Sequence, residues 1–83
     1  MRVILDGTAI HTKEELHDAL KQTLGLPDYY GRNLDALWDC LTGCVEMPLT
    51  FVWQGYEVTR CRVGAYADRV LALLRKAEEE VPD

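Results

Sequence analysis

Two apolar runs in this chain are too short for helices: "RVIL" near the start, closing on Asp6-Gly7, and "PLTFVW" at residues 48–53. Helical patterning follows each of them. Strands separated by helices cannot pair as a hairpin, and a helical crossover brings them together in parallel. The expected architecture is therefore α/β, a small parallel sheet of two visible strands packed by about four helices. At 83 residues the chain is expected to form one domain, residues 1–83, close to the size where a single core only just suffices.

Local signals place the helices. In "HTKEELHDALKQTLGLP" Thr12 and Glu15 have capping-box spacing, each side chain able to accept from the other's backbone amide. Leu16, Ala19, Leu20, Thr23 and Leu24 follow with helical spacing, and Gly25 before Leu26-Pro27 is a stop signal. After the "PDYYG" turn, Asn33 is placed to cap a second helix running to about Thr42, with Gly43 ending it. "GYEVTRCRVG" reads as a short helix. "AYADRVLALLRKAEEE" sets Tyr66, Val70, Leu73, Leu74 and Ala77 on one helical face.

Charge and cysteine content exclude several classes. Fourteen acidic residues against nine basic give a net charge of −5, which argues against direct nucleic-acid binding and fits a basic partner. No apolar run is long enough to span a membrane, and the start "MRVILDG" is too short for a signal peptide. Cys40, Cys44 and Cys61 are an odd number in a short chain, so reduced thiols and a cytoplasmic location are expected.

The second helix raises the functional question. With about 100° per residue, Asp35, Asp39 and Thr42 share one stripe, while Leu34, Leu37 and Leu41 form another, suited to burial. Trp38 lies between the two stripes, and Tyr29 and Tyr30 sit in the preceding turn, Tyr30 expected to pack inward. Like charges four apart cost a few tenths of a kcal/mol in a helix, so the pair is either a solvated face or kept for a basic partner. Arg32, three residues before Asp35, offers a local salt bridge that would favour the first alternative.

An enzyme would need more than two carboxylates. There is no nucleophile motif, phosphate-binding glycine loop or suitably spaced histidine; His11 and His17 belong to the first helix, where surface or partly buried roles are expected. Catalysis, cofactors and metals are not expected. Cys40 and Cys44 lack a second pair to complete a tetrahedral site, and Cys40, beside the buried stripe, reads as a small core residue.

The stretch "LPDYYGRNLDALWDCLTGCVEMPL", residues 26 to 49, resembles the central segment of the barstar family, intracellular inhibitors of the ribonuclease barnase. The opening strand, "ELHDAL" and Trp53 fit as well, whereas similarity after Gln54 is looser. The resemblance implies an inhibitor whose second helix and preceding turn enter a guanyl-specific nuclease's basic cleft. Carried over by position, Asp39 would occupy the phosphate site, Asp35 would pair an arginine, and Tyr29 would stack on the catalytic histidine. Asn33, Leu34, Trp38, Thr42 and Gly43 would complete the surface, with Glu80 a peripheral contact. Charge-assisted arginine–carboxylate bonds supply the strong interactions such mimicry needs.

Three positions depart from the family pattern: Cys44 replaces a contacting tryptophan, Lys76 an acidic contact in the last helix, and Arg32 an acidic residue beside the site. Two of these changes make the rim less acidic, which points to a different cognate nuclease. The resemblance thus leaves open an immunity or antitoxin protein acting on another nuclease toxin. The family's third strand after the last helix is absent, and an uncovered sheet edge would allow a normally monomeric chain to dimerise.

Overall fold

A computed structural model describes residues 2–45 and 49–80, with side chains as far as residue 77. Strand β1 (Arg2–Asp6) leads through a 3-10 turn (Gly7–Ala9) into helices α1 (Lys13–Leu24) and α2 (Leu34–Gly43). Strand β2 (Thr50–Gln54) is followed by α3 (Tyr56–Val63) and α4 (Tyr66–Glu80). The strands pair in parallel, Arg2 opposite Thr50 and Asp6 opposite Gln54, so the expected two-stranded α/β architecture with four helices is observed.

β1 alternates as a sheet with one covered face must: Val3 and Leu5 are buried, and Arg2, Ile4 and Asp6 are exposed. Under the covered face lie Leu16, Leu20 and Leu24 of α1, Leu37 and Leu41 of α2, and Val70, Leu74 and Ala77 of α4, in one apolar cluster. Leu49 is buried just before β2. Pro48, the first residue of the expected "PLTFVW" run, lies outside the described residues.

Two helix ends differ in detail from the sequence expectation. Thr12 Oγ1 accepts from Glu15 N at 3.1 Å, but Glu15 reaches past Thr12 and accepts from His11 N at 2.7 Å. His11 offers this carboxylate its ring Nδ1 as well, at 3.2 Å, which a bond to Thr12 would forgo. Gly25 ends α1 in the left-handed conformation (φ +67°), as expected. Gly43, by contrast, is the last residue of α2 rather than its terminator. α2 unwinds beyond it because the Cys44 and Val45 amides both converge on the Cys40 carbonyl, at 2.8 and 2.9 Å, and no left-handed residue is needed.

α3 has little apolar patterning of its own and is fixed by tertiary bonds. Thr59, fully buried, donates to the Gly7 carbonyl at 2.8 Å and accepts from Trp53 Nε1 at 3.2 Å. A Cβ on Gly7 would collide with that hydroxyl and lie 2.6 Å from the Gln54 carbonyl, so the approach requires glycine. Arg62 donates to the Thr8 carbonyl at 2.6 Å, and Tyr56 and Arg60 both bond Asp68 of α4. Removing the Thr59 hydroxyl would strand the Trp53 donor and the Gly7 acceptor. Thr59→Val is therefore expected to lower stability by about 1–3 kcal/mol, with Thr59→Ser retaining most of it, measured by thermal unfolding.

Candidate functional site

The turn before α2 is positioned from α1. Leu26 and Tyr30 are buried, and the Tyr30 amide closes a turn onto the Pro27 carbonyl at 3.0 Å. The Tyr30 hydroxyl lies 2.6 Å from His17 Nδ1, and His17 Nε2 lies 2.6 Å from the Tyr66 hydroxyl of α4. His17 is only 2% exposed, so the expected surface or partly buried role is corrected. It follows Leu16 directly and lies three residues before Leu20, on the inward face of α1, which is the sequence signal for its burial. Burial holds the imidazole pKa below its ordinary value, with Arg32 adding to the effect and Asp18 and Glu14 opposing it. Burial likewise raises the Tyr30 phenol pKa well above its usual range.

With Tyr30 anchored inward, as expected, its neighbour Tyr29 points out and is 83% exposed. Asn33 caps α2, its Oδ1 accepting from Ala36 N at 2.7 Å while its amide nitrogen donates to the Gly31 carbonyl at 3.3 Å. Along α2, Leu37, Cys40 and Leu41 are buried, Leu34 and Trp38 are half-buried, and Asp35, Asp39, Thr42, Gly43 and Cys44 are exposed. The apolar and acidic stripes fall where helical spacing predicts. Burial also raises the Cys40 thiol pKa, with the Cys44 thiol contributing.

The local bridge that Arg32 offers to Asp35 does not form. Arg32 sits before the cap with φ +54°, and its Nη2 reaches Asp18 Oδ1 on α1 at 2.8 Å. Neither Asp35 nor Asp39 has a basic partner among the described residues. Thr42 does not relieve them either, because its hydroxyl donates to the Trp38 carbonyl at 2.9 Å.

α4 contributes the second wall. Lys76 Nζ stands 5.1 Å from the Trp38 ring centre, a cation–π contact at the edge of the acidic strip. Leu34, Asp35, Trp38, Arg69, Leu73 and Lys76 line a groove of about 370 Å³ between α2 and α4. Ten of the expected site residues are thereby placed: Tyr29, Asn33, Leu34, Asp35, Trp38, Asp39, Thr42, Gly43 and Cys44 on the turn and α2 or its end, and Lys76 beside Trp38. Glu80 ends α4, and its side chain lies outside those described. The supports that sequence reasoning missed are His17, Tyr66 and Asp18.

This arrangement defines a small α/β protein that presents two exposed carboxylates on α2, Asp35 and Asp39, with no salt-bridge partner among the described residues and with Tyr29 and Trp38 beside them. The chain belongs to the Barstar family, described as "Barstar (barnase inhibitor)", whose model matches residues 1–83. It is also 52% identical over 82 residues to the Bacillus subtilis (strain 168) protein "Putative ribonuclease inhibitor YrdF", covering 99% of this chain and 90% of that protein. No helix among the described residues is long and apolar enough to cross a membrane.

The buried His17 makes stability depend on pH with a definite sign. Its folded-state pKa is depressed, so the unfolded chain takes up the proton first as pH falls. Stability is fully present above about pH 6.5 and falls below it, by at most about 1.4 kcal/mol per pH unit, until the folded state also protonates. Denaturant titrations from pH 7.5 to 5 should show this loss in the wild type and a shallower one in His17→Gln.

Proposed function

We propose that this chain inhibits a secreted guanyl-specific ribonuclease one-to-one, α2 and the Tyr29 turn filling the basic active site in place of RNA phosphate. The observation that carries this reading is the pair Asp35 and Asp39, exposed on one face of α2 with no cation of their own among the described residues. Family membership and the printed name of the B. subtilis relative support it. Asp39 takes the phosphate position, Asp35 pairs an arginine, and Tyr29 stacks on the catalytic histidine. Asn33, Leu34, Trp38, Thr42 and Gly43 complete the contact surface, with Cys44, Lys76 and Glu80 at its margin.

On this reading residues 1–83 act as one inhibitor domain in the cytoplasm, monomeric when free, with the sheet edge open to pairing. The chain is not an enzyme and binds no nucleic acid itself. The net charge of −5 steers encounter with a basic partner.

A second reading, an immunity or antitoxin protein against another nuclease toxin, draws support from the same margin. Lys76 beside Trp38 puts a positive charge on the rim, which is less suited to a strongly basic partner, and Cys44 leaves an exposed thiol there. The same helix would serve both readings.

Calorimetric titration into a guanyl-specific microbial ribonuclease tests the first. Nanomolar or tighter one-to-one binding is expected. Asp35→Ala and Asp39→Ala should each weaken it by about 2–5 kcal/mol, the usual cost of truncating one partner of a buried, hydrogen-bonded charge pair. Unchanged circular dichroism in the variants would assign the loss to contact rather than folding. No binding by folded wild type would overturn the guanyl-specific assignment and favour the toxin reading.

A further inference from the structure

We propose that Asp18 is a positioning residue for the acidic face: it holds the Arg32 guanidinium on α1, away from Asp35, and so keeps the Asp35/Asp39 strip unneutralised. The inference rests on the inhibitor reading, because an open acidic strip matters only to a basic partner. Its structural half can be tested without one.

Arg32 has two carboxylates within reach of its position in the chain. Asp35 is three residues on, a spacing at which side chains meet on a helix surface. Arg32 lies outside the helix, however, in the left-handed region with φ +54°. An arginine rarely adopts that backbone, and it persists where the surroundings determine it. The segment is fixed on both sides, by Tyr30 bonded to His17 and by Asn33 capping α2. Consecutive residues of α1 thus grip alternate residues of the turn, His17 taking Tyr30 and Asp18 taking Arg32 at 2.8 Å.

The pair is about half exposed on both sides, 53% for Arg32 and 51% for Asp18, so it contributes little to stability. Its consequence is electrostatic and local. A cation at this point opposes the positive N-terminal end of the α2 dipole. It would also neutralise Asp35 before any partner arrived, and a partner's arginine would then have to displace it. Bound to Asp18, the same cation is already matched and is turned toward α1.

The test combines side-chain NMR with association kinetics. In the wild type, nuclear Overhauser contacts should join the Arg32 side chain to the Asp18 β-protons, and in Asp18→Asn they should move to those of Asp35. Stopped-flow association with the guanyl-specific ribonuclease at low salt should slow about threefold in Asp18→Asn, since charges near an interface act mainly on the association rate. Glu57→Gln, which removes the same charge from α3, should slow it less. Asp18→Asn/Arg32→Gln should restore the wild-type rate.

Arg32 contacts that never reach Asp35 in Asp18→Asn would overturn the proposal. A rate loss equal to that of Glu57→Gln, or one persisting in the double variant, would also overturn it. If the ribonuclease does not bind the wild type, that failure belongs to the inhibitor reading. The NMR comparison then decides alone: movement to Asp35 supports Asp18 as the positioning residue, and no movement overturns it.

Discussion

The His17 imidazole, held between the hydroxyls of Tyr30 and Tyr66, is the point at which α1, the turn before α2 and α4 are tied together. A neutral imidazole has one donor nitrogen and one acceptor, so one tyrosine accepts and the other donates, and both ring nitrogens are satisfied. In a buried setting such a bridge is selective, because any displacement of the turn leaves a polar atom without a partner. Tyr30 is thereby fixed inward, and Tyr29 is directed outward by chain alternation. The N-terminus of α2 follows within three residues.

Much of the rest of the architecture is ordered by a second polar junction at the far end of the sheet. Thr59 receives the Trp53 indole and donates to the turn after β1, fixing α3 against that turn and against Trp53 of β2. Apolar burial supplies most of the stability in a domain this small but is not directional. These two junctions, at His17 and Thr59, supply direction. α4 is tied to both ends of the arrangement: Tyr66 meets His17, Asp68 meets Tyr56 and Arg60, and Lys76 covers Trp38.

The parts of this picture legible in the sequence are those decided within a turn or two of chain. The short apolar strand at "RVIL", the Thr12 and Asn33 caps, the Gly25 stop and the two stripes of α2 all depend on local geometry, and all are found. The placement of Asp35 and Asp39 on one face of α2 was legible for the same reason, since spacing alone sets them side by side. What was not legible depends on distant partners. Local spacing offered Asp35 as a partner for Arg32; a left-handed backbone and a carboxylate on α1 decide otherwise. The inward face of α1 signalled the burial of His17, but its partners, tyrosines thirteen and forty-nine residues away, could not be read from spacing. α3 has almost no pattern of its own, because its position is set by Thr59, Arg62 and Tyr56.

The two aspartates of α2 are not equivalent, and the difference bears on why the face is built as it is. Asp35 lies in the first turn, where the unpaired amides of the helix N-terminus favour a negative charge by about 0.3–1 kcal/mol. That compensation covers the few tenths of a kcal/mol lost to repulsion from Asp39. Asp39 has no such support. It lies beyond the reach of the N-terminal amides, carries a poor helix-forming side chain, and makes no salt bridge among the described residues. Thr42, one turn further on, spends its hydroxyl proton on the helix backbone. The free protein therefore gains nothing from a carboxylate at position 39 that a neutral helix former would not supply. Among the described residues its charge is matched by no salt bridge, on a helix otherwise capped, packed and framed, and that is the feature on which the proposed capture of a basic site rests.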